Sequence, residues 1–137
     1  MNYNGSVLLS LVEDKENVLP TIAAKGCTVI QAPDALIQKF NAFVLDSRSF
    51  YRIIEGYTDI FQEIVALERE VLRDTEHQRF HGIVVRNRNI NTAVIYYFTS
   101  KMKEAGYGMV FSEQKRSVRK GNDPEYIPSY FITFDFN

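Results

Sequence analysis

Residues 81–111, HGIVVRNRNINTAVIYYFTSKMKEAGYGMVF, constrain the fold more than any other stretch of the chain. A β-branched run from Gly82 to Val85 passes through a polar turn into a helix whose apolar residues Val94, Ile95, Phe98, Met102 and Ala105 recur at helical spacing. Gly106 supplies a left-handed terminus for that helix, and Tyr107 to Phe111 reads as a second strand. Strand, helix and strand on this scale make a βαβ unit, which requires parallel strands joined by a right-handed crossover.

The rest of the chain can be fitted around that unit. Ser6 to Val12, SVLLSLV, is almost continuously apolar, the pattern of a strand buried on both faces. Glu13, Asp14, Lys15, Glu16 and Asn17 then lead into a short helical stripe of Val18, Leu19, Ile22 and Ala23, with Pro20 placing the helix start near Asn17. Cys27 to Gln31 reads as a second strand, Ala35 to Phe40 as a two-turn helix, and Ala42 to Leu45 as a third strand ending at Asp46 and Ser47. The longest periodic segment runs from Phe50 to Arg73. Its stripe of Ile53, Tyr57, Ile60, Ile64, Leu67 and Val71 is widened by Ile54, Phe61, Val65 and Leu72. Packing on the sheet accounts for the first stripe, and heptad-like self-association into a homodimer is the sharper reading of the second. Glu55, Asp59 and Glu63 repel one another along the same helix and call for a basic partner. From Gly108 onward a strand, the basic segment KRSVRKGNDPEY and an alternating strand with Pro128 at its start form an antiparallel hairpin.

Composition narrows the class. The chain has 137 residues, 45% apolar and 24% charged, which is globular rather than disordered or fibrous. The lone cysteine, Cys27, cannot form an internal disulfide and points to a reducing, cytoplasmic setting. No apolar run is long enough for a membrane span, so no membrane association is expected. The net charge of −1 hides a strong asymmetry: residues 86–120 carry eight Lys or Arg against two acids, whereas residues 1–85 carry eight against twelve. A local excess of this size attracts an anionic ligand, an acidic protein face or nucleic acid.

The segment VLLSLVEDKENVLPTIAAKGCTVIQAPDALIQKFNAFVLDS, within residues 7–47, resembles the first half of a receiver domain of two-component signalling. Glu13 and Asp14 match that family's acidic pair after the first strand, and Asp46 matches its phospho-accepting aspartate. The resemblance implies a flavodoxin-like doubly wound fold and Mg²⁺-assisted phosphorylation of Asp46. Further along, Arg86 and Asn87 stand where the family has a small hydroxyl residue, and Lys115 is followed by Arg116 rather than proline, which implies a degenerate receiver. The whole chain is thus expected to be one domain, 1–137, of three-layer α/β architecture: a mostly parallel, flavodoxin-like sheet with a C-terminal antiparallel hairpin.

In an open α/β sheet, ligands bind beyond the carboxyl ends of the strands. That edge should gather the acids Glu13, Asp14 and Asp46 with the binding residues Arg86, Arg88, Asn89, Asn91, Lys115 and Arg116, and the basic hairpin loop adds Arg119 and Lys120. Asn89 or Asn91 would cap the following helix beside the arginines, a setting for phosphate or carboxylate. Neutralisation of the acids by the bases is the purely structural alternative. Zinc binding by His77, His81 and Glu76 lacks a further ligand of convincing spacing, and the Glu113-Gln114-Lys115 tripeptide lacks the partner aspartate of a metal-dependent nuclease. No cofactor, metal or catalytic residue is assigned. The sequence reads as a non-enzymatic regulatory or adaptor domain. It would bind a protein partner through the basic hairpin, 115–120, or the apolar helix, 53–72. Nucleic-acid binding by residues 86–120, resembling a winged helix, is the alternative.

Overall fold

The structure is a computed structural model that describes residues 5–13, 15–45, 49–73, 78–86, 91–116 and 128–135. The elements in order are β1 (Val7–Ser10), α1 (Lys15–Ala23), β2 (Thr28–Gln31), α2 (Asp34–Leu45), α3 (Phe50–Val71), β3 (Gly82–Arg86), α4 (Thr92–Glu104), β4 (Gly108–Arg116) and β5 (Pro128–Asp135). They build one mixed sheet of five strands in the order β2-β1-β3-β4-β5. Strands β1 to β4 run parallel, and β5 returns antiparallel to β4. The central βαβ unit is therefore present as β3, α4 and β4.

Alternation along the strands divides the apolar side chains between two cores. Leu9, Ile83, Val85 and Met109 point into the larger one, where Phe40, Ile53, Ile60, Ile64, Phe98 and Met102 from α2, α3 and α4 meet them. Leu8, Val84 and Val110 point the other way, against Val18 and Ile22 of α1. Pro20 lies inside α1, earlier than which the helix already begins at Lys15.

The ends of α4 show how local sequence fixes the crossover. Asn91 is its N-cap, with Oδ1 accepting the Ala93 N–H at 2.9 Å. At the other end the Tyr107 N–H donates to the Met102 carbonyl and the Gly106 N–H to that of Lys103, each at 3.0 Å. This double closure requires a left-handed residue, and Gly106 has φ +97°.

One stretch differs from the sequence expectation. Residues 42–45, expected as a third strand, are the last turn of α2, so the sheet has four parallel strands and the first 45 residues contribute two of them. Leu36, Ile37, Phe40, Phe43 and Val44 are all buried at helical spacing, and burial of that face outweighs the strand preference of a four-residue apolar run. The receiver resemblance placed its acceptor aspartate after a strand at this point. Asp46 itself lies outside the described residues, as do Asp14, Arg88, Asn89, Arg119, Lys120, Glu76 and His77.

Helices α2 and α3 pack closely because Gly56 has no side chain: a Cβ there would stand 2.6 Å from the Phe43 ring. The same contact explains the acids of α3. Lys39 of α2 reaches Asp59 at 2.9 Å and Glu63 at 2.7 Å, so the basic partner that the acidic stripe required comes from the chain itself. These bonds, Glu63 first and then Asp59, raise the lysine pKa.

Candidate functional site

The carboxyl edge of the parallel strands is where the crossovers diverge. After β1 the chain turns to α1 on one face, and after β3 it turns to α4 on the other, which opens a crevice between these two strands. Beyond β1, Leu11 donates its N–H to the Val84 carbonyl at 2.9 Å, and Val12 donates to Ser10 Oγ at 3.2 Å. Gln31 at the end of β2 donates Nε2–H to the Val12 carbonyl at 2.8 Å. Glu13 follows, exposed. These bonds hold the loop after β1 tightly against its neighbours.

Helix α2 lies along this same edge. It starts just after β2, and at its far end the Val44 carbonyl accepts the N–H of Asn91, the residue that caps α4, at 3.0 Å. The large-core side of the edge is therefore flanked by α2, and the other side by α1. On that side, two positions beyond Leu8, Val84 and Val110, the strands carry Ser10, Arg86 and Ser112. Arg86 is half-buried and stands in register with Ser112. Both serines are buried completely.

Of the residues the sequence singled out, Arg86 and Asn91 thus sit at the crevice, on opposite faces of the sheet. Lys115 and Arg116 belong to β4 itself, paired with Ser129 and Pro128, rather than to a loop. The two serines were invisible in sequence because their relation to Arg86 depends on strand register across about a hundred residues of chain.

Beside the crevice, where α2 ends and α3 and α4 begin, several large apolar side chains face solvent. Leu45, Phe50, Tyr51 and Tyr96 are 65%, 66%, 79% and 72% exposed. Phe50 packs edge-on to Tyr97 at 6.0 Å, and Tyr97 in turn meets Tyr57 at 5.9 Å, so the surface is anchored to the core. The second stripe of α3 contributes little to it: Leu72 is buried, Phe61 and Val65 are partly buried, and Ile54 alone is open. Doubled aromatics outside the main stripes, Phe50-Tyr51 and Tyr96-Tyr97, were the available signal.

The opposite edge holds a buried carboxylate. Glu68, near the end of α3, accepts the Tyr107 hydroxyl at Oε1 and the Phe80 N–H at Oε2, both at 2.8 Å. Arg79 lies over the Tyr107 ring at 4.5 Å and donates to the Ala105 carbonyl at the end of α4. Tyr107 immediately precedes β4 and Phe80 stands two residues before β3, so the group ties the end of α3 to the starts of two strands. Its donors are all satisfied within the chain, at the edge away from the crevice, which marks it as structural. Glu68 lies four residues after Ile64 on the buried stripe, a position where a carboxylate stands out.

Burial, opposed by Arg79 and reinforced by Glu68, pushes the Tyr107 hydroxyl up to about 12. Burial also raises Tyr57 and Cys27. Each of these groups, and Lys39, has a folded value above its unfolded one. The stabilisation is complete below the unfolded value and is lost as pH rises through the folded one. For Tyr107 that window runs from 10 to about 12. Urea denaturation followed from pH 9 upward should show stability falling across this range, and Tyr107→Phe should flatten the fall; an equally steep fall in the variant would assign it elsewhere.

Among the described residues no group of His, Cys, Asp and Glu is arranged to hold a metal ion, and no helix is long and apolar enough to cross a membrane. His81 instead accepts the Val7 N–H at Nδ1, 2.9 Å away, joining the starts of β1 and β3. Comparisons with protein-family models, curated proteins and solved structures gave no match.

Proposed function

We propose that this chain is a non-enzymatic adaptor or regulatory domain that binds a protein partner through the aromatic surface at the junction of α2, α3 and α4. The observation that carries this reading is the exposure of Leu45 at the end of α2, Phe50 and Tyr51 at the start of α3 and Tyr96 in the second turn of α4. Large apolar side chains left exposed at neighbouring helix ends are costly to keep in water, and Tyr and Phe are residues that recur at interface centres. The strand order β2-β1-β3-β4-β5 is also that of flavodoxin-like folds, and we read the arrangement as such a fold with its last strand reversed. In such a frame the junction surface flanks the carboxyl edge, where binding is expected.

A photo-cross-linking residue in place of Tyr51 should capture a discrete protein when the chain is expressed in its native cell. Phe50→Ser with Tyr96→Ser should abolish the capture, because loss of an interface aromatic weakens binding by about 2 kcal/mol or more per residue. Thermal stability should change little, since both side chains are mostly in solvent. Capture of nucleic acid instead, with affinity falling steeply as salt is raised, would favour the basic segment 86–120 and overturn the protein-partner reading.

A further inference from the structure

We propose that the polar notch of Ser10, Arg86 and Ser112, on the α1 face of the sheet at its carboxyl edge, binds the phosphate group of a small phosphate monoester. Three observations converge on it. The Ser112 hydroxyl is completely buried and has no hydrogen-bond partner. A buried polar atom left unsatisfied is disfavoured, and one in a native fold calls for a group that completes it. A chain that needed only packing here would carry an apolar residue, as it does two positions earlier at Val110.

The second observation is the neighbour in register. Arg86 stands opposite Ser112 on the adjacent strand, about 4.8 Å away by the spacing of strands, and shares its face. Its guanidinium offers paired N–H donors in the planar geometry that suits phosphate oxygens. Arg86 also interacts with other groups of the chain, and its guanidinium carries five N–H donors in all. Third, Ser10 on β1, the other neighbour of β3, is in register with Val84, one same-face position before Arg86, and accepts the Val12 N–H, a bond that does not use its hydroxyl hydrogen. One guanidinium between two hydroxyl donors matches the three terminal oxygens of a monoester better than the two of a carboxylate. The notch also lies where the crossovers part, on the face of the sheet opposite α2.

The test uses the full chain, labelled for NMR, titrated with inorganic phosphate, glycerol phosphate and a nucleoside monophosphate. Saturable shifts of the Ser10, Arg86 and Ser112 amides by at least one of the three are expected, and the order of affinities tells whether the ester group contributes. Ser112→Ala should weaken binding by about tenfold, the loss typical of one hydrogen bond to a charged group, while raising the melting temperature, because the unsatisfied hydroxyl is gone. Arg86→Gln should abolish binding. Absence of saturable shifts at millimolar ligand, shifts confined to residues away from the notch, or undiminished binding by Ser112→Ala would each overturn the proposal. The serine variant keeps the test decisive even where Arg86→Gln destabilises the fold.

Discussion

Glu68→Ala is expected to lower the unfolding free energy by about 3 to 5 kcal/mol, a large share of what a domain of this size possesses. The substitution removes one carboxylate, but two buried donors lose their acceptor together: the Tyr107 hydroxyl and the Phe80 N–H. Each stranded donor costs about 1 to 3 kcal/mol, and the vacated volume adds a cavity term. Glu68→Gln should fall between, since its amide keeps one acceptor and turns a donor toward another donor. Tyr107→Phe should cost about 1 kcal/mol by itself, because the carboxylate loses one donor and keeps the Phe80 N–H. A double-mutant cycle between positions 68 and 107, measured by urea denaturation at neutral pH, should show coupling above about 1 kcal/mol. A Glu68→Ala loss below that figure would mean the carboxylate is not the tie between α3 and the strands.

Phe98→Ala should cost about 3 to 5 kcal/mol as well, by a different route. Phe98 is fully buried on α4, and its ring meets Phe40 at 5.0 Å, Tyr57 at 6.0 Å and Phe43 at 6.1 Å, all in tilted or edge-on geometry. Truncation removes both the burial and three ring contacts, each worth about 0.5 to 1.5 kcal/mol beyond area. Phe98→Leu refills most of the space and should lose less than half as much. Calorimetric melting of the two variants checks the order. Because Tyr57 also supports Tyr97 and hence Phe50, the alanine variant should loosen the junction surface, visible as altered aromatic NMR shifts at Phe50.

Much of the architecture was legible in sequence wherever periodicity and end signals agreed. The unit 81–111 carried both a capping asparagine and a terminating glycine, and α3 carried a stripe long enough that no strand could imitate it. The stretch 42–45 was misread for a physical reason. Asn41 interrupts the apolar series of α2, and an isolated Ala-Phe-Val-Leu has the length and character of a buried strand. Burial of Phe40, Phe43 and Val44 on a single helical face decides the matter, and that face exists only once α3 and α4 are present to receive it. The candidate sites show the same division. Arg86 and Asn91 could be placed from strand and cap patterns, whereas Ser10 and Ser112 gain meaning only through register. The exposed Phe50, Tyr51 and Tyr96 gain theirs only through what fails to cover them.

The position of β1 between β2 and β3 has a consequence for how the chain assembles. Its pairing with β2 spans about twenty residues, but its pairing with β3 joins Leu8 to Gly82 across the whole of α1, β2, α2 and α3. The entropy of closing so long a loop must be met before the contact returns any energy, and folding slows accordingly. The α2–α3 hairpin, whose helices are neighbours in the chain, shortens the loop that remains to be closed once it has formed. Residues at its contact, Gly56 and Phe43 among them, should therefore govern the rate at which the sheet is completed more than the rate at which it comes apart.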